Sequence, residues 1–206
     1  MRKLFTLLLL SITSFGFSQI KMISWNLENF GKSKSDAAIS FMANVIKEYD
    51  IVAIQEVVAG YGGAQAVAKL ADELNRKGSK WEYAISDPTT STPNKTERYA
   101  FIWKTAPLKK IGKAWLEKKY ASAIEREPYL CTFEYHNKQF TAVSFHAITK
   151  TKQPEKEIKY FQFFPLEYPT LNLIFTGDFN CPQSHSVFVP LRKTGVTSAL
   201  VNQKTS

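Results

Sequence analysis

Five short polar motifs hold the side chains able to do chemistry here. They are Ser24-Trp25-Asn26-Leu27-Glu28-Asn29, Ile54-Gln55-Glu56-Val57, Glu97-Arg98-Tyr99, Ser144-Phe145-His146-Ala147 and Thr176-Gly177-Asp178-Phe179-Asn180. Each adjoins an apolar run and places a carboxylate, carboxamide or imidazole near its end. A charged group there is costly unless it meets a cation or hydrogen-bond partners. Glu56 closes the run 50–54, and magnesium or manganese takes one or two protein carboxylates with other oxygen ligands. Glu56 with Asn26 suits such an ion; capping the following helix is the other use open to it. Histidine as a residue type titrates near neutrality, so one at position 146 can give a proton to a leaving oxygen, although a satisfied core histidine also ends strands. Glu97 is the carboxylate available to orient it. Asp178 and Asn180 bracket Phe179, so alternation points both polar side chains one way. That pair can position water and hold a phosphoryl oxygen, or form an Asx turn. Arg126, just before a strand, suits a bidentate phosphate contact or a surface ion pair.

These groups need rigid strands to carry them. Residues 20–25, 50–54, 81–85, 98–103, 107–111 and 171–176 read as strands, and 128–135 with 139–145 as a hairpin around His136-Asn137-Lys138. Residues 36–49 have helical spacing, with Ala37, Ala38, Phe41, Val45 and Ile46 on one side. Residues 64–76 do too, with Val67, Leu70, Ala71 and Leu74, and Gly78 as a stop signal. Residues 151–164 read as polar, then helical; Tyr160–Pro165 is the aromatic core face of that helix or, as the alternative, an apolar membrane-docking segment. Strand-helix-strand-helix followed mainly by strands predicts an α/β (α+β) fold of mixed sheets with helices outside. Asn26 and Asp178-Asn180, ending strands alike, hint at two similar halves.

Arg2 and Lys3 precede an apolar stretch to Phe17, and Gly16-Phe17-Ser18 has small residues two apart. This predicts a signal peptide over residues 1–18, too short for a bilayer span of about 20 residues, and hence a secreted or periplasmic protein. Residues 19–206 then form one domain. The formal net charge is +9, with Arg2 and Lys3 supplying two of those charges. A basic surface suits a polyanion such as nucleic acid, or an anionic membrane face. The two cysteines, Cys131 and Cys181, are either a disulfide or free buried thiols.

With ISWNLENFG, DIVAIQEV, ERYAFIWK, REPYL, SFHA and FTGDFN in order over residues 20–181, the chain resembles the endonuclease/exonuclease/phosphatase superfamily, above all its deoxyribonuclease I-like branch. The resemblance implies a four-layer sandwich, two mixed sheets packed face to face with outer helices, and metal-dependent phosphodiester cleavage at one rim. It implies that Asn26 and Glu56 hold the divalent cation, Mg²⁺ or else Mn²⁺ or Ca²⁺. It implies that Glu97 pairs with His146, the acid on the leaving 3′-oxygen, that Arg126 contacts phosphate, and that Asp178 and Asn180 position water and stabilise the pentacovalent phosphorus.

Two departures accompany it. Val58 stands where pancreatic-type enzymes carry an arginine that reaches the DNA minor groove. The family's Ser-Asp-His segment, whose histidine activates water, is absent; His136 and His185 lack its context. The expectation is a C-terminally incomplete domain missing its last strands. The leading functional reading is an exported, monomeric Mg²⁺-dependent DNA endonuclease without stable membrane association. A phospholipid or inositol-phosphate phosphodiesterase of the same fold, and a low-activity nucleic-acid-binding remnant, remain open.

Overall fold

Side-chain alternation along the central strands sets the layers. The computed structural model describes residues 19–92 and 95–199; the expected signal peptide lies outside the described residues. In β2 (Ile51–Val58), Ile51 and Ala53 face one core while Val52 and Ile54 face another, and all four are fully buried. In β4 (Glu97–Lys104), Tyr99, Phe101 and Trp103 likewise oppose Ala100 and Ile102. Strands apolar on both faces need cover on both sides.

The first sheet has the order β1-β2-β4-β3, with β1 (Met22–Phe30) parallel to β2 and β3 (Trp81–Ile85) antiparallel to β4. The second has the order β5-β6-β7-β8: β5 (Lys109–Leu116), β6 (Tyr129–Tyr135), β7 (Lys138–His146) and β8 (Leu173–Asp178). Here β7 and β8 are the parallel pair. Each sheet thus carries one parallel pair joined through helical chain, which gives the two halves hinted at by the sequence. Between the sheets, Phe133 meets Phe101 and Trp103 edge-on, with ring centroids 5.9 and 5.3 Å apart.

Outer helices complete the four layers. In α1 (Asp36–Ile46), Ser35 caps the start by accepting the Ala38 N–H at 3.2 Å. Its buried face is Ile39, Met42, Ala43 and Ile46, while Phe41 is 63% exposed. This is rotated from the expected face because 39, 42, 43 and 46 form the i, i+3, i+4, i+7 stripe. In α2 (Tyr61–Asn75), Val67, Leu70, Ala71 and Leu74 are buried as expected. On the other side, short helical segments over Glu155–Ile158, Lys159–Phe163 and Phe164–Glu167 bury Ile158, Phe161 and Phe164 against the second sheet. The aromatic stretch before Pro165 is therefore core packing. The β6–β7 hairpin turns on His136 and Asn137, with φ of +46° and +60°, the left-handed pair of a two-residue type I′ turn.

Cys131 and Cys181 are free and buried. Cys131 packs between the sheets and Cys181 in the outer core, so the second sheet separates them. Burial pushes the Cys131 thiol up to about 12 and raises that of Cys181. Since the thiolate is the reactive form, the folded chain at pH 8 should resist iodoacetamide, and both thiols should label once it is unfolded in denaturant. Mass spectrometry before and after unfolding reads this directly.

Gly177 pairs with Phe145 across β7 and β8, has φ +132°, and would place a Cβ 1.9 Å from the Phe145 carbonyl oxygen. Gly177→Ala should lower stability by more than about 2 kcal/mol, through strain and clash together. Urea melts of the two proteins measure it.

Candidate active site

The inter-sheet layer is apolar along most of its length and polar at one end. Following alternation inward, β1 reaches Ser24 and Asn26, β2 reaches Gln55, β4 reaches Glu97, β7 reaches Ser144 and His146, and β8 reaches Thr176 and Asp178. The parallel and antiparallel pairings bring these strand ends to one rim.

Two bulges adjust their aim. Against β4, Ile54 pairs with Ala100 but Val57 with Arg98, so β2 holds one extra residue. Glu56 absorbs it at φ +59°. Ile54 and Val57 therefore both face the outer core, and the Glu56 carboxylate turns to the rim. Against β2, β1 shifts between Asn26 and Phe30, with Glu28 and Asn29 at φ +34° and +50°. Bulges of this kind re-aim side chains beside functional sites.

Glu97 and His146 meet across the two sheets. His146 Nδ1 lies 2.9 Å from Glu97 Oε2 and 3.1 Å from Oε1, and His146 is 7% exposed. With Nδ1 held, Nε2 faces Glu56 Oε1 at 3.8 Å. The Tyr99 hydroxyl accepts the His146 backbone N–H at 3.2 Å and donates to the Arg126 carbonyl at 3.5 Å. The Gln55 amide, fully buried, donates to Ser144 Oγ at 2.8 Å and so ties the sheets one step deeper.

Asn26 links the remaining carboxylates. Its Nδ2 donates to Glu56 Oε1 at 2.9 Å and to Asp178 Oδ2 at 3.1 Å, and its Oδ1 accepts the Glu28 N–H at 3.0 Å. The expected ligand oxygen of Asn26 is thus turned to the backbone, because two neighbouring carboxylates need a donor between them. Glu56 Oε2 accepts the Asn29 N–H at 3.1 Å. Asp178 Oδ1 accepts the Asn180 N–H at 3.1 Å, and Asn180 Nδ2 donates to the Ala147 carbonyl at 3.1 Å. Among the described residues no three His, Cys, Asp or Glu side chains gather as a metal cage. The oxygen donors of Glu56 and Asp178 around one carboxamide still suit magnesium, which keeps most of its shell as water and phosphate.

Arg126 is placed otherwise than as an exposed phosphate clamp. It is 8% exposed, donates from Nε to the His146 carbonyl at 2.9 Å and from Nη2 to the Ala147 carbonyl, and its Nη1 stands 3.7 Å from Glu97 Oε2. Its charge supports Glu97 and the end of β7 from behind. The buried Glu157 carboxylate steadies the same wall, accepting the N–H groups of Glu125 and Ile148 at 2.6 and 2.8 Å; burial raises its pKa. His136 lies in the hairpin turn. His185, exposed as expected, lines a small cleft with Lys150 and Asn180.

Gln55, Tyr99 and Ser144 acquire roles that no local pattern assigns to them. For Gln55 a signal exists: a polar residue in register with Ile51 and Ala53 on a strand buried on both faces.

The Endonuclease/Exonuclease/phosphatase family model matches residues 23–199. The chain belongs to this family. Curated relatives place it on the deoxyribonuclease I-like branch. It is 26% identical over 200 residues to a deoxyribonuclease of Thioalkalivibrio sp. (strain K90mix), covering 90% of this chain and 53% of the relative. It is 27% identical to deoxyribonuclease-1 of Bos taurus, covering 81% and 62%, and 27% identical to human deoxyribonuclease gamma, covering 89% and 64%. The chain thus spans between about half and two thirds of the length of these relatives. Among solved structures, an endonuclease/exonuclease/phosphatase family protein from Bacteroides thetaiotaomicron superposes with a TM-score of 0.58 at 17% identity, covering 86% of this chain and 69% of that one. The human Nocturnin catalytic domain gives 0.57 at 17% identity, covering 82% and 68%. These superpositions show the shared family fold.

Tyr99→Phe removes one hydroxyl and leaves the His146 N–H and the Arg126 carbonyl without that partner. It should lower stability by about 1–3 kcal/mol, read as a shift in the denaturant midpoint at unchanged slope.

Proposed function

We propose that the chain is a divalent-metal-dependent phosphodiesterase that hydrolyses DNA. The observation that carries this reading is the Glu97–His146 pair, which leaves Nε2 directed at the rim beside Glu56. The deoxyribonuclease relatives and the basic composition support DNA as the substrate.

Glu97 fixes the ring of His146 by accepting Nδ1–H, which leaves Nε2 free for the substrate. Nε2–H then gives its proton to the leaving oxygen as the P–O bond breaks. Arg126 and Tyr99 keep this pair from moving, because both bind the backbone that carries it. Glu56, aimed by the bulge, with Asp178 beside it, would hold the ion, taken as Mg²⁺ with Mn²⁺ or Ca²⁺ as alternatives. When bound, such an ion would supply positive charge to the phosphoryl oxygens. Asp178 accepts a hydrogen bond from the attacking water, and Asn180 stands next to it with its amide near the strand end. We further infer that the protein is exported, on the strength of the charged and apolar segment over residues 1–18.

Plasmid nicking in Mg²⁺ tests the assignment. EDTA should abolish nicking, and His146→Ala should slow it by about 10²–10⁴-fold, the usual value of a positioned acid. Glu56→Ala should also slow it, with partial recovery at raised Mg²⁺. Nicking that survives EDTA or is indifferent to His146→Ala refutes the proposed chemistry.

A further inference from the structure

A single exposed tyrosine is ordinary on a protein surface. Tyr61 is exposed on a corner whose backbone is tightly held. It opens α2, three residues after Val58, and Val58 pairs with Glu97 where β2 reaches the rim. Three residues of chain span about 10 Å at most, so Tyr61 belongs to the same rim as Glu97 and Glu56.

The corner is fixed from several sides. Arg98 Nε donates to the Ala59 carbonyl at 2.8 Å, and its Nη1 donates to the Ser86 carbonyl at 2.7 Å. The Gly63 N–H donates to the Gly60 carbonyl at 3.1 Å. A Cβ on Gly63 would lie 1.9 Å from the Val58 carbonyl oxygen, and one on Gly62 would lie 3.0 Å from Lys32 Cβ. The turn therefore packs directly on β2 and on the loop that follows β1. What this corner presents is the ring. Tyr61 is 76% exposed, and among the described residues its ring meets no other ring and its hydroxyl no hydrogen-bond partner. Val58, 38% exposed, precedes it on the same turn, and the exposed Lys32 adds a positive charge to the corner. A flat face already in place beside a hydrolytic rim suits a nucleobase, because every base has a π-face and a preset ring loses little freedom on binding. Bases inside a duplex are stacked on one another, so this face is available to an unpaired base.

We propose that Tyr61 is a stacking platform for an unpaired nucleobase of the substrate, on the β2 side of the scissile phosphate, and that it biases the site toward single-stranded DNA. This rests on the reading of the chain as a DNA phosphodiesterase and names the form of DNA that the same site takes. The ring binds and orients the strand, while Glu97 and His146 act on the phosphate.

Steady-state cleavage of an end-labelled single strand, and of the same sequence as a blunt duplex, tests the platform in the presence of Mg²⁺. Tyr61→Ala should raise KM for the single strand about 5- to 150-fold, the worth of one stacked base, with a far smaller rise for the duplex. The change in kcat should be small, because a contact made equally in the ground and transition states acts on KM. Tyr61→Phe and Tyr61→Trp should keep the parent KM, since the face and not the hydroxyl makes the contact. Tyr83 is exposed too, but it lies on β3 in register with Ile102, far along β4 from Glu97; Tyr83→Ala should change neither KM. An unchanged single-strand KM in Tyr61→Ala, equal rises for both substrates, or a loss in Tyr61→Phe as large as that in Tyr61→Ala overturns the platform. So does a parent protein that cleaves the duplex alone, and each of these leaves the DNA reading standing. A parent that cleaves neither substrate overturns both.

Discussion

The contact between Glu97 and His146 is the constraint around which the rim is arranged. It joins one strand of each sheet where the shared apolar layer ends, and it buries an ionisable pair with 7% exposure on either side. Such a pair is tolerated only when its remaining hydrogen-bonding capacity is met. The surroundings meet it: Arg126 on Glu97, Tyr99 on the His146 backbone, and the Glu56 N–H on Glu97 at 3.4 Å. Gln55 and Ser144 repeat the junction one layer deeper. The site is consequently a part of the sheet-to-sheet packing, and its geometry is as fixed as that of the core.

That arrangement explains why the chain accepts non-glycine residues with positive φ at the strand ends. Glu28, Asn29, Glu56 and Asn180 all lie there. Each such position costs on the order of 1 kcal/mol or more, offset by the neighbouring well-packed strands. Regular strands would have alternated Glu56 into the outer core and turned Val57 to the inter-sheet layer. The bulge separates a residue that must be buried from one that must reach the rim.

The fold was legible in the sequence because period-two burial is local. Ile51 to Ile54 and Tyr99 to Trp103 announce strands covered on both faces, and Val67 to Leu74 announces a helix. The site residues were legible as types at strand ends, and Glu97, His146, Glu56 and Asp178 do converge. What stayed hidden depends on partners distant in sequence. Arg126 sits between two glutamates and looks like a surface residue, yet its guanidinium is consumed by carbonyls of Ala147 and His146. Asn26 offers an oxygen on paper, but the nearness of Glu56 and Asp178 turns its nitrogen toward them. Phe41 looked like core because hydrophobicity alone does not fix the phase of a helix.

The bond from Asn26 to Asp178 spans 152 residues of sequence. Closing so long a loop carries a large entropic cost that only the rest of the packing offsets, and long-range pairings of this kind form slowly. The Asn26 carboxamide and the Asp178 carboxylate lie on different sheets and meet only where the two sheets pack together. Neither sheet alone carries the rim, so its residues are brought together only by the docking of the two sheets.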